Sequence, residues 1–225
     1  MYKLRLTYMK SKTSIYIPAI DVCDVISRAL IRIGAKLVYN KTRSIKPAIV
    51  NASILPIGIE SNGEICDVLI KEHIDTSYLT REINKTLPVG MIILSAQYVD
   101  LSEEEINKRV YASTYEIELL FDEAMFETMN KKQTEDLKLW YRRMFEEYLS
   151  EPAILVLKKM PHRQERIDIK PEILEYEFMI DNRLKITVYT GKTRNFNPEY
   201  IMAGYIEYIN RNVDYNIKRI KILYK

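Results

Sequence analysis

Apolar and polar residues alternate at positions 2–10, as they do in a half-buried β-strand. Positions 21–33 change to the three-and-four spacing of an amphipathic helix, which Asp21 can cap and Gly34 can end. The other elements predicted in this half are three strands, at 49–60, 64–71 and 91–99, and one helix, at 75–87. The order β-α-β-β-α-β predicts a ferredoxin-like domain at residues 1–109.

A charged segment at 101–109 follows, and the same order of elements then begins again. Strands are predicted at 111–121, 153–159, 165–178 (with a break at Pro171) and 184–190, with a last one at 217–224, and helices at 122–149 and 197–210. The long helical region loses its apolar pattern at 130–133, which leaves one or two helices open. The fold predicted is therefore α+β, with two tandem ferredoxin-like (βαββαβ) domains with antiparallel sheets. The second, at 110–225, carries a long helical insertion.

One turn signal lies between two β-rich runs of the first half. Asn62-Gly63 suits a type I′ hairpin turn, which needs positive φ at both central residues. A two-residue turn there fixes the register and places Gly58 opposite Asp67. Alternation then divides the hairpin into a core face of Ile57, Ile59, Cys66, Val68 and Ile70, and a mixed face of Gly58, Glu60, Ile65, Asp67 and Leu69.

The composition is ordinary for a folded globular protein. Of 225 residues, 47% are hydrophobic and 29% are charged, and the net charge is +3. No apolar run approaches the length of a membrane span, and the first residues alternate as a strand instead of forming the apolar core of a signal peptide. We therefore expect a cytoplasmic protein that does not enter the membrane.

Residues that commonly bind metals or perform catalysis are scarce. The two cysteines, Cys23 and Cys66, lie in apolar patterns and are expected to be buried. With only His73 and His162 beside them, a dedicated zinc site is not expected. His162 has no visible acid or nucleophile partner. We therefore predict no cofactor, no metal and no catalytic residue.

The predicted hairpin carries a resemblance to a known family. The pattern Leu55-Pro56-x-Gly58-x-Glu60-Ser61, followed by Gly63-Glu64 and Asp67, resembles the hairpin of the radical SAM-linked proteins. These are bacterial proteins of undefined activity, encoded beside or fused to a radical SAM protein with a cobalamin-binding domain. Weaker matches are Ser27-Arg28-Ala29-Leu30-x-Arg32-x-Gly34, residues 167–173 and residues 195–199.

The chain departs from the family pattern in two places. The family has a His before the Asp at the helix start, where this chain has Ile20-Asp21. It also has a Phe-Asn-Pro run where this chain reads Lys41-Thr42-Arg43-Ser44-Ile45-Lys46-Pro47. These differences indicate a divergent member and put in doubt any site built on those positions.

The resemblance implies a non-catalytic partner or substrate-presenting protein for a radical SAM/cobalamin-type enzyme. Two thiols cannot supply the three that a radical SAM cluster requires, so the chain is not the radical enzyme itself. The alternative is an RNA-binding or RNA-processing protein, because paired ferredoxin-like domains also occur in CRISPR RNA endonucleases. The glycine-rich loop of those nucleases is absent near the C-terminus, which counts against this alternative. No motif supports a third hypothesis, a small-molecule enzyme that uses Arg5 and the hairpin carboxylates.

The first candidate binding site follows from the expected sheet. The opening strand would lie beside the second hairpin strand, which places Arg5 on the face of Asp67 and Glu60. The simpler interpretation is an exposed cross-strand ion pair. The alternative is a polar groove in which a ligand meets Arg5 above the gap left by Gly58.

Two further sites are suggested by charge. Arg43 and Lys46, with Lys41, form a basic loop that could contact RNA phosphates or remain solvated. Asp168 and Lys170 lie two positions apart at the end of a predicted strand, before Pro171, and share a face. They could pair with each other or be presented to a partner.

Overall fold

The computed structural model describes residues 1–41, 45–121, 126–160, 163–179, 182–191 and 194–225. It confirms an α+β protein with mostly antiparallel strands. The helices are α1 (Ala19–Arg32), α2 (Thr76–Asn84), α3 (Ile106–Arg109), α4 (Lys131–Ser150) and α5 (Glu199–Ile209). The strands are β1 (Tyr2–Lys10), β2 (Tyr39–Lys41), β3 (Ile45–Pro47), β4 (Ile49–Asn51), β5 (Glu60–Ile70), β6 (Met91–Val99), β7 (Val110–Leu120), β8 (Leu155–Met160), β9 (Arg163–Asp168), β10 (Ile173–Phe178), β11 (Arg183–Tyr189) and β12 (Asp214–Tyr224). Short 3-10 helices cover Lys12–Tyr16 and Lys170–Glu172.

The chain divides into two compact units, and each is built from segments that are distant in sequence. Unit 1 comprises residues 1–114, 190–195 and 218–225, and unit 2 comprises residues 115–189 and 196–217. The expected domains at 1–109 and 110–225, each ferredoxin-like, stay a prediction. In the part of the chain described, no helix combines the length and apolar character needed to cross a membrane.

Unit 1 is organised around β1 and β5. β1 pairs antiparallel with both β5 and β6. The other edge of β5 is shared, because β4 pairs antiparallel with its second half, and Lys218 and Arg219 of β12 pair parallel with its first residues. The main core contains residues of β1, α1, β5, α2 and β6, among them Leu4, Leu6, Ile26, Leu30, Val68, Ile70, Leu79 and Ile93. Burying each of these large side chains stabilises the unit by roughly 1.5–3 kcal/mol.

Elements with strong local patterns in unit 1 form where the sequence predicts them. β1 and β6 form where strands are predicted at 2–10 and 91–99, and α1 covers most of the predicted helix. Gly34 follows α1 with a φ of +87°, the left-handed conformation expected of it. Asp75 caps α2 by accepting a hydrogen bond of 2.7 Å from the backbone N–H of Tyr78.

The prediction of a hairpin turn at Asn62-Gly63 is wrong, because β5 continues through both residues. Neither residue has the positive φ that a type I′ turn requires. Tyr8 of β1 pairs with Glu64, and Lys10 pairs with Ser61. Two steps along β1 therefore correspond to three along β5, so Asn62-Gly63 lies in a β-bulge.

The expected register across this region is wrong for the same reason. Val50, and not Gly58, lies opposite Asp67. The chain between β4 and β5 leaves the sheet in a loop, where Gly58 has a φ of +89°. Ile57 was expected in the core but is 58% exposed, whereas Ile59 is buried as expected.

Unit 2 contains the strand order β10-β11-β7-β12 and a separate two-stranded sheet of β8 and β9. The residues of α4 and α5 that are buried include Tyr141, Phe145, Tyr148, Leu149, Ile201, Met202 and Tyr205. The interruption predicted at 130–133 marks the start of α4, where Asn130 and Gln133 form a reciprocal capping box. Residues 122–125 of the expected helical region lie outside the described residues.

Candidate functional site

Arg5 and Asp67 are cross-strand neighbours on β1 and β5, as the alternation predicts. Nε and Nη2 of Arg5 donate to the two carboxylate oxygens of Asp67 over 2.8 and 2.9 Å. The pair was expected to be exposed, but Arg5 is only 5% and Asp67 only 6% exposed. Nη1 of Arg5 also lies 2.8 Å from Glu103, and hydrogen bonding to Asp67 raises the pKa of Arg5. These contacts bind the two side chains to each other and to Glu103.

Gly58 and Glu60 lie elsewhere, because the bulge and the loop displace them from the expected hairpin. A carboxylate oxygen of Glu60 lies 3.5 Å from Nζ of Lys218, and the backbone N–H of Lys12 donates to Glu60. The N–H of Gly58 donates to the carbonyl of Ile15 over 3.1 Å. The polar groove expected around Arg5 therefore does not assemble from these four residues.

The basic loop is described only in part. Arg43 lies outside the described residues, and of Lys41 only the backbone is described. Lys46 lies on β3 opposite Asn40, and its side chain is exposed. An RNA contact by this loop stays a prediction.

Asp168 and Lys170 contact the chain's own backbone. Oδ1 of Asp168 accepts from the N–H groups of Ile154 and Lys170, over 2.8 and 3.0 Å. The ammonium of Lys170 donates to the carbonyl of Leu149, near the end of α4. Both side chains therefore stabilise local structure, and a binding role for them stays a prediction.

Unit 1 contains a buried ionic cluster that no sequence pattern predicted. Arg219, Glu64 and Lys10, hereafter the Arg219 cluster, are 0%, 2% and 1% exposed. Nη1 of Arg219 lies 3.0 and 2.9 Å from the two oxygens of Glu64. Lys10 donates to the carbonyl of Ile17 over 2.8 Å. The available signal was that Lys10 continues the inward-facing positions of β1.

The Arg219 cluster also holds the loop that precedes β5. Nη1 of Arg219 donates to the hydroxyl of Ser53 over 2.8 Å, and Nη2 donates to the carbonyl of Ile54 over 2.9 Å. Burial lowers the pKa of Lys10, Glu64 opposes this shift, and Arg219 adds to it. Because all three charges are committed to internal contacts, the cluster stabilises structure and presents no reactive group.

An open apolar groove of about 500 Å³ lies beside this loop. We call it the Ile20 groove, and its lining residues are Pro18, Ala19, Ile20, Asn51, Ile54, Leu55, Pro56 and Ile57. Its walls are the start of α1 and the loop after β4. Three of its isoleucines are mostly exposed, Ile20 at 71%, Ile54 at 61% and Ile57 at 58%. Exposed apolar surface that is gathered into a groove is typical of a binding site.

Asn51 is a polar residue in the lining of the Ile20 groove. Its Nδ2 donates to the carbonyl of Ala19 over 3.1 Å and contacts Sγ of Cys23 at 3.2 Å. The carbonyl of Ala19 can only accept, which fixes the orientation of the amide. Oδ1 of Asn51 is buried and has no hydrogen-bond partner among the described residues. That oxygen has almost no accessible surface, so a ligand of this groove would be held by apolar contacts.

The described ranges contain no convergence of three or more His, Cys, Asp or Glu side chains that could hold a metal ion. Cys66 is buried and Cys23 is half-buried. Burial raises the pKa of both thiols above the ordinary value. Neither is therefore an activated nucleophile at neutral pH.

Comparison with models of known protein families shows the family to which the chain belongs. The model of the family described as "Uncharacterized protein conserved in bacteria (DUF2344)" matches residues 3–198. The chain belongs to this family. Both walls of the Ile20 groove lie within the matched residues, whereas Arg219 lies beyond them.

The other comparisons carry little information. No curated protein matches the chain. A solved structure titled "Crystal Structure of an Unknown Protein from Galdieria sulphuraria" shows 13% identity and a TM-score of 0.27, over 98% of this chain and 99% of that one. A "putative glycine cleavage system transcriptional repressor" shows 6% identity and a TM-score of 0.27, over 100% and 98% of the two chains. At these TM-scores neither likeness supports an argument.

Proposed function

We propose that this protein is a non-catalytic binding protein whose Ile20 groove receives an apolar group of a partner or of a presented substrate. We propose a radical SAM enzyme of the cobalamin type as that partner. The observation that carries the proposal is the groove itself, in which Ile20, Ile54 and Ile57 are each more than half exposed. Apolar side chains exposed together are costly unless another surface covers them.

The contacts of the charged residues favour binding over catalysis. Arg5 and Asp67 pair in a bidentate arrangement, and Arg219 pairs with Glu64 in the Arg219 cluster. A catalytic acid or base needs an oxygen or nitrogen within reach of a substrate. These four groups are nearly or fully buried and directed at each other, so they do not meet that requirement.

The radical SAM association rests on the sequence resemblance, and the position of the groove supports it. The helix start and the Leu55-Pro56 segment both belong to the resemblance, and they form the two walls of the groove. Ile20 occupies the position at which the resembling family has a His. The groove of this chain is therefore more apolar there, which fits a divergent member that binds a more apolar group.

We also propose that unit 1 is a ferredoxin-like domain. Its elements run β1, α1, β4, β5, α2, β6 along the chain, with β2 and β3 as an added ribbon. Its strands pair in the spatial order β6-β1-β5-β4. An antiparallel sheet in which the first and third strands are central agrees with the βαββαβ unit. For the second half, a ferredoxin-like domain is proposed from element order alone.

Co-purification from the native cell tests the function. A tagged wild-type chain is expected to retain an iron–sulfur protein, and Ile57→Glu is expected to reduce the retained amount at least about tenfold, because a desolvated charge costs several kcal/mol. Val89→Glu is the matched control, because Val89 is 71% exposed in the same unit and does not line the groove. Equal retention by both variants would refute the role of the groove.

The same experiment distinguishes the RNA alternative. Nuclease-sensitive RNA in place of an iron–sulfur protein would favour RNA binding through the loop that includes Lys46. Lys46→Glu would then weaken binding, and the dependence of log affinity on log salt would lose about 0.7 in slope for a single strand. Lys46→Glu is expected to leave retention of an iron–sulfur protein unchanged.

A further inference from the structure

Strand β6 is an edge strand of the sheet in unit 1. It pairs with β1 and with no other strand among the residues that the structure describes. An edge strand carries a row of N–H and C=O groups that point away from its one neighbour. Because these groups can hydrogen-bond a strand of another chain, proteins usually protect such edges with charges, prolines, bulges or covering segments.

The pairing within the sheet shows which residues of β6 direct their backbone groups outward. The carbonyl of Ile65 in β5 accepts from the N–H of Ala52, away from β1. Because the direction alternates along each strand, the even positions of β5 bond the even positions of β1, and the odd positions of β1 bond the odd positions within 95–99 of β6. The N–H and C=O groups of Ala96 and Tyr98 therefore point outward.

The first half of β6 is protected against strand pairing. Leu94 forms a bulge, because Ile93 and Ser95 pair with consecutive residues of β1. The side-chain amide of Asn84, at the end of α2, takes the place of a neighbouring strand at Ile93. It accepts from the N–H of Ile93 over 2.7 Å and donates to the carbonyl over 2.9 Å. A strand of another chain is therefore excluded at this point.

The second half of β6, residues 95–99, lacks this protection, and we call it the open segment. It reads Ser-Ala-Gln-Tyr-Val, without a charge or a proline. In the part of the chain described, no hydrogen bond from another element reaches the outward backbone groups of Ala96 and Tyr98. Leu94 and Leu101, at the two ends of the open segment, are 48% and 47% exposed. An open edge beside exposed apolar side chains is typical of a surface that another strand covers.

We propose that the open segment pairs antiparallel with the open segment of a second copy of this chain, about a two-fold axis at Gln97. Ala96 of each copy then lies opposite Tyr98 of the other, and each such pair exchanges both of its backbone hydrogen bonds. A small side chain faces a large one at both positions, and Leu94 comes close to Leu101 of the second copy. Because the open segment has no charge, identical copies place no like charges opposite each other in the ladder.

The register follows from what borders the open segment. A two-fold axis one residue earlier would bring Val99 opposite Ile93, where Asn84 already occupies the edge. An axis one residue later would draw Asp100 into the ladder, although its carboxylate accepts from the N–H of Ser102 over 2.7 Å in the turn after β6. Only the proposed axis pairs the open segment with itself. The pairing is independent of the Ile20 groove, because no residue of β6 lines that groove.

Sedimentation equilibrium of the full chain tests the proposal. The interface is small, so the dimer is expected to dissociate with a Kd of about 10–100 μM. The mean mass should rise from the 26.6 kDa of the single chain toward twice that value as the protein concentration passes through this range. A mass that stays at 26.6 kDa up to about 1 mM would overturn the proposal and leave the edge to an extended segment of another protein.

Charge changes at Gln97 locate the axis, because the two copies place this exposed residue opposite itself. Gln97→Lys and Gln97→Glu are each expected to weaken self-association at least about tenfold, since like charges then face each other. An equimolar mixture of the two variants should associate again, because opposite charges meet. Gln164→Lys is the matched control, which adds the same charge at an exposed position of β9 and should dimerise like the wild type.

A backbone change separates loss of the dimer from loss of the fold. Ala96→Pro removes an outward N–H that β1 does not use, so the ladder within the chain stays intact. It should keep the far-UV circular dichroism of the wild type and dimerise at least about tenfold more weakly. Unchanged dimerisation of Ala96→Pro, or no recovery in the mixture of the two Gln97 variants, would overturn the proposal.

Discussion

Replacing Glu64 by Gln should destabilise the protein strongly, because it removes the carboxylate charge that pairs with the buried guanidinium of Arg219. Arg219 is fully buried, and the side chain of Glu64 is only 3% exposed. Lys10 is 1% exposed, and the charge of Glu64 would then no longer offset the repulsion between Lys10 and Arg219. Removing one partner of a buried pair costs about 3–5 kcal/mol.

Coulomb's law gives the same magnitude. Two unit charges about 4 Å apart attract by about 4 kcal/mol at an effective dielectric constant of 20. The hydrogen bonds from Arg219 to Ser53 and Ile54 remain in the variant, so they do not add to the loss. For a chain of this size, the expected change lowers the Tm by roughly 10 °C.

Urea unfolding followed by circular dichroism measures this effect. The control is Glu72→Gln, because Glu72 pairs with Lys36 over 2.7 Å while both side chains are more than 60% exposed. That exposed pair should contribute less than about 1 kcal/mol. The double variant Glu64→Leu, Arg219→Met should recover most of the loss. If Glu64→Gln and Glu72→Gln unfold at the same urea concentration, the reasoning fails.

Three further changes have expected outcomes. Asp67→Asn should lower the free energy of unfolding by about 2–4 kcal/mol in urea titrations, because the buried guanidinium of Arg5 loses its bidentate carboxylate partner and keeps only Glu103; a loss below 1 kcal/mol would argue against it. Gly90→Ala should lower the Tm, since Gly90 has a φ of +92° and a Cβ would lie 2.0 Å from the carbonyl oxygen of Ser11. An unchanged Tm would contradict that geometry. Burial raises the pKa of Cys66, so the folded state keeps a proton that the unfolded chain loses above its pKa near 8.5. The stability that the protonated thiol contributes is complete below this pH and falls by about 2 kcal/mol by pH 10. Cys66→Ala should therefore flatten the decline of the free energy of unfolding with pH. An equal decline in the variant would show that the thiol is not its source.

Sequence periodicity was sufficient to predict an element where its bounds do not depend on which other strand or helix it contacts. β1 alternates so regularly that its bounds follow from the residues alone, β6 follows from its apolar run after Gly90, and α2 follows from its apolar spacing and its Asp75 cap. The adjacency of Arg5 and Asp67 also followed, because alternation fixes faces once two strands pair. Their burial did not follow, since Glu103, which also contacts Arg5, comes from the charged segment at 101–109, whose contacts no sequence pattern indicates.

The Asn62-Gly63 signal failed because a distant strand competes for the same edge of β5. A hairpin would have paired the residues just before Asn62 with those just after Gly63. In the structure, Lys218 and Arg219 pair with Glu60 and Ser61 instead. No local pattern near Asn62 contains that information, because the pairing joins positions more than 150 residues apart.

The loop after β4 and the Arg219 cluster depend on each other physically. Once the chain after β4 leaves the sheet, the carbonyl of Ile54 loses the strand partner that a hairpin would have given it. The guanidinium of Arg219 donates to that carbonyl, and Glu64 on β5 balances its charge. The loop can therefore be held in place without burying its isoleucine side chains, and Ile54 and Ile57 remain exposed. A buried ion pair contributes little net stability compared with an apolar replacement. Its value here is that it fixes the loop in the one position that forms a wall of the Ile20 groove.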